Sequence, residues 1–341
     1  MVIAPLIKNE EIFPGHLLEG KTVLLTGSGG YIASGITAAM SQIDCKLVRL
    51  SRRAGSLRTV EGLLKTEDIE VDIVEGCDWN RLLDGIDIVF HLAAQTSVSK
   101  ADEDPAGDFE CNVLPLLNML LSCKKDGYRP VVVFAGTATE IGLSRCLPVS
   151  EHHYDEPITI YDIHKLTAEK YLKYFVGEGV VRGCVLRLAN VYGPGPQSSS
   201  ADRGILNLMV RRAIKGEDLT VYGKDDHIRD YIYIDDVVRA FLRAAVHIDR
   251  IDGRHFPLGS GKGHTIFEAF SMVAEKVAKK TGKLVDVIRV TPPAGLSPIE
   301  KRSFFADVRE FSDCTNWQPR FSLNEGIEHT IDSFLSQRED E

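Results

Sequence analysis

Tyr161 and Lys165 stand four residues apart in the run Tyr161-Asp162-Ile163-His164-Lys165, at the start of a segment with helical periodicity. Positions i and i+4 share a helix face, so the phenol and the ammonium are expected to address one ligand. A free phenol, with a pKa of about 10, is too weakly acidic to serve as a base at neutral pH. A neighbouring ammonium favours the phenolate and lowers that value. The pair therefore reads as an acid/base couple. Thr137, in Phe134-Ala135-Gly136-Thr137-Ala138-Thr139, adds a hydroxyl at the end of an apolar strand pattern. Ligands of open α/β folds bind at the carboxyl ends of the strands, where this hydroxyl can share the reacting proton.

A second chemistry-bearing run is Thr26-Gly27-Ser28-Gly29-Gly30-Tyr31-Ile32-Ala33, between a strand pattern and a helical one. In that context backbone N–H groups can approach a pyrophosphate, assisted by the helix dipole. Gly27 suits the tight turn, Gly30 the close phosphate approach and Ala33 the packing of helix on strand. Ser28, Gly29, Tyr31 and Ile32 complete the expected cradle. The second strand pattern ends at Ser51-Arg52-Arg53. An NAD site usually carries an acid there for the ribose 2′-hydroxyl, whereas two guanidinium groups suit a 2′-phosphate. NADP is the expected cofactor, with NAD the alternative, and its positive nicotinamide would favour the Tyr161 phenolate further. Asp78 and Trp79 after the third strand, and Leu92, Ala93 and Ala94 after the fourth, are placed against the adenosine and phosphates. His91, taken alone, is expected to be a packed, hydrogen-bonded histidine.

The elements that position these residues follow from short apolar runs at 21–26, 46–50, 69–74, 87–92, 131–135 and 185–188, separated by helix-length segments. Nearly continuous apolar strands alternating with helices predict a parallel sheet covered on both faces. Beyond Leu188 a Gly-Pro-Gly-Pro loop at 193–196 changes the rhythm, and helical patterns follow at 203–215, 235–247, 264–281 and 324–336. The chain reads as an extension over 1–20 and a nucleotide-binding domain over 21–189, rejoined at about 235–258. A smaller α/β substrate domain is expected over 190–234 and 259–341.

Composition narrows the classes. The 341 residues are 44% hydrophobic and 26% charged, which excludes a disordered, collagen-like or coiled-coil chain. Forty basic against 49 acidic residues, a net charge of -9, make nucleic acid and anionic membranes unexpected partners. The seven cysteines are odd in number and form no C-x-x-C pair, so they read as reduced thiols of a cytoplasmic protein, with no metal site. The apolar start of MVIAPLIKNEEIF is too short for a signal peptide, and no run of ~18 apolar residues suggests a membrane span.

The ordered blocks TGSGGYIA, FHLAAQTSVSKADEDP with Asn112 beyond it, FAGTATEIG, YDIHK, LRLANVYGPG, RDYIYIDDV and NWQPRFSLNEGI resemble the extended short-chain dehydrogenase/reductases of the nucleotide-sugar epimerase/dehydratase family. The resemblance covers nearly everything after residue 20 and implies a Rossmann-type doubly wound parallel sheet with a smaller C-terminal substrate domain. It implies Tyr161 as acid/base, Lys165 as ligand of the cofactor ribose and activator of Tyr161, and Thr137 as the proton-sharing hydroxyl. It further implies a nucleotide-sugar site in which Thr137, Ala138, Thr139, Asn190, Asn207 and Arg229 meet substrate. Arg302 can add a contact. A homodimer through helices at about 108–125 and 161–176 is also implied.

Reactions of this family begin with oxidation of a sugar carbon to a ketone. Its dehydratases, and its decarboxylases with a Glu there, carry an acid directly after the catalytic threonine. Thr137-Ala138-Thr139 has none, and Glu140 falls one place later. An epimerase acting by transient oxidation to a keto-sugar at C4 and hydride return is therefore expected. An NADPH-dependent 4-keto-sugar reductase, which Arg52 and Arg53 would suit, is the alternative. A non-catalytic NADP sensor is disfavoured because Tyr161, Lys165 and Thr137 are all present. His152 and His153 fall in a loop that can reach sugar but are expected to be exposed polar residues.

Overall fold

The computed structural model describes residues 15–53, 57, 65–196, 204–223, 227–293 and 295–339. Its strands are β1 (Thr22–Thr26), β2 (Lys46–Ser51), β3 (Thr66–Glu70), β4 (Ile88–His91), β5 (Val131–Thr137), β6 (Arg182–Leu188), β7 (Asn190–Tyr192), β8 (Leu219–Tyr222), β9 (Ile228–Tyr233), β10 (His255–Leu258), β11 (Gly263–Thr265) and β12 (Val287–Val290). Seven of them form one parallel sheet in the order β10-β6-β5-β4-β1-β2-β3. Strand order reverses between β1 and β4, which opens a crevice at their carboxyl ends.

Successive strand residues point to opposite faces, and both faces are apolar. Val23, Leu25, Phe90, Val133 and Leu186 face the helices Tyr31–Met40 and Ile234–Val246. Leu24, Val89, Val132, Phe134 and Val185 face the helices Leu114–Asp126 and Ile160–Gly177. Burial on both sides is why these strands read as apolar runs and not as alternations. The same core continues through Tyr192, Tyr231 and Tyr233 to Phe270 and Trp317. There β9 lies between β7 and β11, and β12 pairs with β8. The helices Ile205–Lys215, Ile266–Thr281 and Leu323–Glu339 pack beside them.

Three expectations shift. The third strand runs Thr66–Glu70, not over 69–74, because an edge strand is exposed and its polar residues carry no apolar signal. Asp68 is instead held by Arg49 of β2 at 2.6 Å. The segment at 108–125 is two helices, Pro105–Asn112 and Leu114–Asp126, since Pro115 must open a new helix and cannot continue the old one. In the expected extension, residues 1–14 lie outside the described residues, but Leu18 is a fully buried core residue on the short helix Gly15–Leu18.

Candidate functional site

The glycine-rich turn leaves β1 with Gly27 at φ +68°, a conformation that L side chains rarely adopt. A Cβ on Gly27 would stand 2.8 Å from the Cα of Ala93, so only glycine lets the turn pass the end of β4. Ser28 is tied down by its hydroxyl, which donates to the Leu25 carbonyl at 2.7 Å. The helix Tyr31–Met40 then starts at Gly30, with no side chain capping its first amides. Those uncapped N–H groups, with a turn admitting only glycine, fit an anionic pyrophosphate. Gly29 lies near the Ser51 hydroxyl at the end of β2, where Arg52 and Arg53 are exposed. Leu92 and Ala93 donate their N–H groups to the Thr26 hydroxyl, both at 3.1 Å, which fixes the β4 end beside the turn. Ala94 is exposed. Ile32 packs partly against the core. Asp78 and Trp79 have other partners: the Asp78 carboxylate caps the helix Trp79–Leu83, and the Trp79 ring is buried in the core.

Across the crevice, Thr159 caps the helix Ile160–Gly177, and Tyr161 and Lys165 project from its first two turns. They begin a buried stripe that continues through Ala168 and Leu172, which turns both toward the sheet. Tyr161 is 4% exposed and Lys165 2%. The Lys165 ammonium lies 4.0 Å above the centre of the Phe134 ring, which also contacts the His91 ring. His91 pairs through Nδ1 with the Thr26 hydroxyl at 3.4 Å. Burial, and then Lys165, push its pKa down to about 3, so it is a neutral packed imidazole.

Thr137 ends β5, and its hydroxyl meets that of Thr139 at 2.9 Å. Thr139 donates onward to the buried carboxylate of Asp162, whose other oxygen accepts from Thr159 at 2.7 Å. Ala138 is packed with Ile141, Val149 and Phe304. Glu140 turns away from this surface. Its carboxyl accepts the Thr137 N–H at 2.8 Å and lies 3.0 Å from Arg187, which also holds Asp155 and Glu169. Burial and the neighbouring Glu169 raise Glu140 well above the usual carboxylate range. Burial would raise Glu169 too, but Arg187 outweighs it and holds that carboxyl far down.

Beyond β6, Asn190 accepts a hydrogen bond from Arg302 at 3.4 Å. Arg229 is 2% exposed, and its guanidinium donates to the carbonyls of Ile228, Glu300 and Arg302. Asn207 is engaged as well. Its amide brackets Gly193, accepting from N–H and donating to the carbonyl, both at 2.9 Å, while Tyr31 also donates to that carbonyl at 2.8 Å. His152 is exposed beside Glu151, and His153 bonds to Ser150. Sequence reasoning passed over Asp162, although a threonine three residues before an acid at a helix start signals the cap.

Comparison with known proteins follows the same outline. The pattern of the NAD dependent epimerase/dehydratase family matches residues 23–259. The UDP-glucose 4-epimerase of Mycolicibacterium smegmatis is 29% identical over 320 residues, 92% of this chain and 98% of that protein. The crystal structure of UDP-glucose 4-epimerase with UDP-glucose from Thermotoga maritima is similar with a TM-score of 0.82 at 29% identity, covering 93% of this chain and 99% of that one. UDP-glucose 4-epimerase from Thermus thermophilus in complex with NAD gives 0.76 at 29% identity, covering 92% and 99%. The matched span holds the glycine-rich turn, Thr137 and the Tyr161–Lys165 helix, and the chain therefore belongs to the NAD dependent epimerase/dehydratase family, as an NAD(P)-dependent nucleotide-sugar enzyme.

Proposed function

We propose that the chain is a nucleotide-sugar 4-epimerase. In this reading Tyr161 takes the proton of a sugar hydroxyl and later returns it, Lys165 holds the ribose and favours the phenolate, and Thr137 shares the proton. A bound nicotinamide would supply the hydride acceptor and donor. Residues 27–32 hold the pyrophosphate, with Leu92 and Ala93 alongside. The observation that carries epimerisation over dehydration is the position of Glu140. The acid nearest Thr137 is bound to Arg187 and to the Thr137 N–H, so no carboxyl follows Thr137 on the site side. The UDP-glucose 4-epimerases among its relatives support the same reaction and a uridine diphosphate sugar as substrate. The test is incubation with UDP-glucose and NAD or NADP, followed by NMR of the sugar. Appearance of UDP-galactose without net cofactor reduction is expected, and its absence across a nucleotide-sugar panel would sink the reading.

The exposed Arg52 and Arg53, with Ser51 in place of an acid, support a preference for NADP over the NAD seen in solved relatives. Arg52→Ala should weaken NADP by about tenfold and leave NAD unchanged. The same arginines favour a second reading, a reductase drawing on free NADPH. Purified protein that releases about one cofactor per subunit on denaturation supports recycling in place, and an empty site supports the reductase.

Two further parts belong to this reading. Residues 21–189 with 235–258 form the cofactor half, and 190–234 with 259–341 the sugar half. Of the two arginines expected near the diphosphate, Arg302 beside Asn190 is the better placed, because Arg229 is committed to three backbone carbonyls and Arg302 to one, that of Ile299. A homodimer would cover the exposed Leu121, Ile163 and Tyr174 on the helices Leu114–Asp126 and Ile160–Gly177. Light scattering of a monomer at micromolar concentration would refute it. Seven free cysteines suit a reducing compartment, and no helix among the described residues is long and apolar enough to cross a membrane.

A further inference from the structure

Tyr31 opens the helix Tyr31–Met40, and its N–H is among the first amides that no side chain caps. Its side chain leaves the cofactor turn altogether. The hydroxyl donates to the carbonyl of Gly193 at 2.8 Å, 162 residues further along the chain. Asn207, in the first turn of the helix Ile205–Lys215, completes the contact. Its amide oxygen accepts the Gly193 N–H at 2.9 Å. Its amide nitrogen donates to the Gly193 carbonyl at 2.9 Å and to the Tyr31 hydroxyl at 3.4 Å. A phenol has one proton to give, and a carbonyl has two lone pairs. The Tyr31 proton therefore goes to Gly193, and both lone pairs of that carbonyl are taken. Burial holds the phenol far above its ordinary 10, so it remains a donor. The ring fits as closely as the hydroxyl. A Cβ on Gly195 would stand 2.5 Å from the Tyr31 ring, and one on Gly193 would stand 2.7 Å from Ile234 and 3.0 Å from Tyr233. The 193–195 backbone is thus held between the first residue of the cofactor helix and the junction of β9 with the helix Ile234–Val246.

We propose that Tyr31, which belongs to the cofactor turn by its backbone, is through its side chain a positioning residue for the nucleotide sugar, and that Asn207 acts with it on Gly193 and not as a substrate ligand. The inference rests on the placement of the nucleotide sugar against residues 190–234 in the reading above. Gly193 directly follows β7 (Asn190–Tyr192), whose Asn190 meets Arg302. Holding Gly193 therefore fixes the exit of the strand that carries Asn190 and the entry of the helix that carries Asn207. A segment ordered in advance loses less entropy when ligand binds, so the contact raises affinity for the nucleotide without touching it.

Calorimetry on the full chain separates the two ligands. UDP is titrated into the NADP-loaded protein, and NADP into the protein freed of cofactor. Tyr31→Phe keeps the backbone amide and the ring and removes only the hydroxyl. NADP affinity should stay within about twofold, while UDP affinity should fall about fivefold, the loss of one hydrogen bond. Asn207→Ala should give the same split. Because both side chains act on one carbonyl, the double variant should lose less than about tenfold for UDP, where independent losses would multiply to about 25-fold. Equal weakening of UDP and NADP by Tyr31→Phe would mean a loosened fold or a role toward cofactor, and overturns the proposal. Unchanged UDP affinity in both single variants overturns it as well. Losses that multiply in the double variant overturn the joint action and make Asn207 a ligand in its own right. A parent protein that binds NADP but not UDP overturns the uridine-nucleotide reading and the inference with it, a result that no variant is needed to see. Should one single variant fail to fold, the split between UDP and NADP in the other decides.

Discussion

Nε of Arg187 lies 3.0 Å from Oε2 of Glu140, out of contact with solvent, and the same guanidinium reaches Asp155 at 2.6 Å and Glu169 at 2.8 Å. Three carboxyl groups thus surround one guanidinium directly beneath the turn that carries Thr137. Burial and Glu169 push Glu140 well above the usual carboxylate range, while one of its oxygens accepts the Thr137 N–H. The floor of the site is an ion cluster in which Lys173, 2.6 Å from Glu169, supplies a second cation beside Arg187.

That arrangement separates two substitutions. Arg187→Met removes the only guanidinium in the cluster and leaves Glu169 and Asp155 short of a partner. A loss of about 3–5 kcal/mol is expected by chemical denaturation. Glu140→Gln keeps the shape and an oxygen that can accept the Thr137 N–H, and should change stability by less than about 1 kcal/mol. Equal losses for the two would refute Arg187 as the group on which the cluster depends.

The two candidate diphosphate arginines should separate in kind. Arg229 satisfies three backbone carbonyls from a buried position. Arg229→Ala should lower stability by about 1–3 kcal/mol through those unmet acceptors. Arg302, 13% exposed and beside Asn190, should act on substrate. Arg302→Ala is expected to raise KM for the nucleotide sugar about tenfold with the melting temperature little changed. A KM effect confined to the Arg229 variant would reverse the assignment.

What was legible in the sequence was local. The glycine-rich turn and the Tyr161–Lys165 pair lie within eight residues each, and their meaning depends only on a strand or helix forming around them. Asp78 read as a cofactor contact because it follows a strand, yet it caps the next helix, a competing use that position alone does not exclude. Glu140 looked like a displaced acid, and nothing nearby announced Arg187, 47 residues on, or Glu169 and His255, which share its cluster. Arg229 meets three carbonyls and Arg302 one, that of Ile299, and that is decided where β9 meets the 298–302 segment.

Acid should loosen the fold at histidines. Burial, and then Arg187, push His255 down to about 4 from its ordinary 6.5, and burial with Lys165 takes His91 to about 3. Both folded values lie below the unfolded one, so the unfolded chain binds protons first. Their stabilisation is complete above pH 6.5 and drains away as pH falls toward 4 and then 3. The His255 share is on the order of 3 kcal/mol. Glu140, raised instead, opposes folding increasingly as pH climbs above its ordinary 4.5. Denaturation midpoints taken from pH 7 to 4 should fall, and His255→Asn should flatten part of the slope. A wild-type curve level across that window would refute the account.

Two glycines of nearly equal φ offer a controlled test of the turn. Gly27 at +68° and Gly85 at +69° both lie in the left-handed region, so alanine at either carries about 1 kcal/mol of backbone strain. Their surroundings differ. A Cβ at Gly85 meets nothing within 4 Å, while one at Gly27 would stand 2.8 Å from Cα and 2.9 Å from N of Ala93. Backbone on that side cannot yield as a side chain would, because Thr26 holds the Leu92 and Ala93 amides. Gly27→Ala must therefore displace the turn from the β4 end, and the uncapped amides at the start of the helix Tyr31–Met40 move with it. Gly85→Ala should lower the melting point slightly and leave NAD(P) affinity unchanged, whereas Gly27→Ala should weaken that affinity by at least about tenfold. Titration of both variants with NADP and NAD, followed by intrinsic fluorescence, measures this. Equal affinities for the two would mean that the turn does not hold the pyrophosphate.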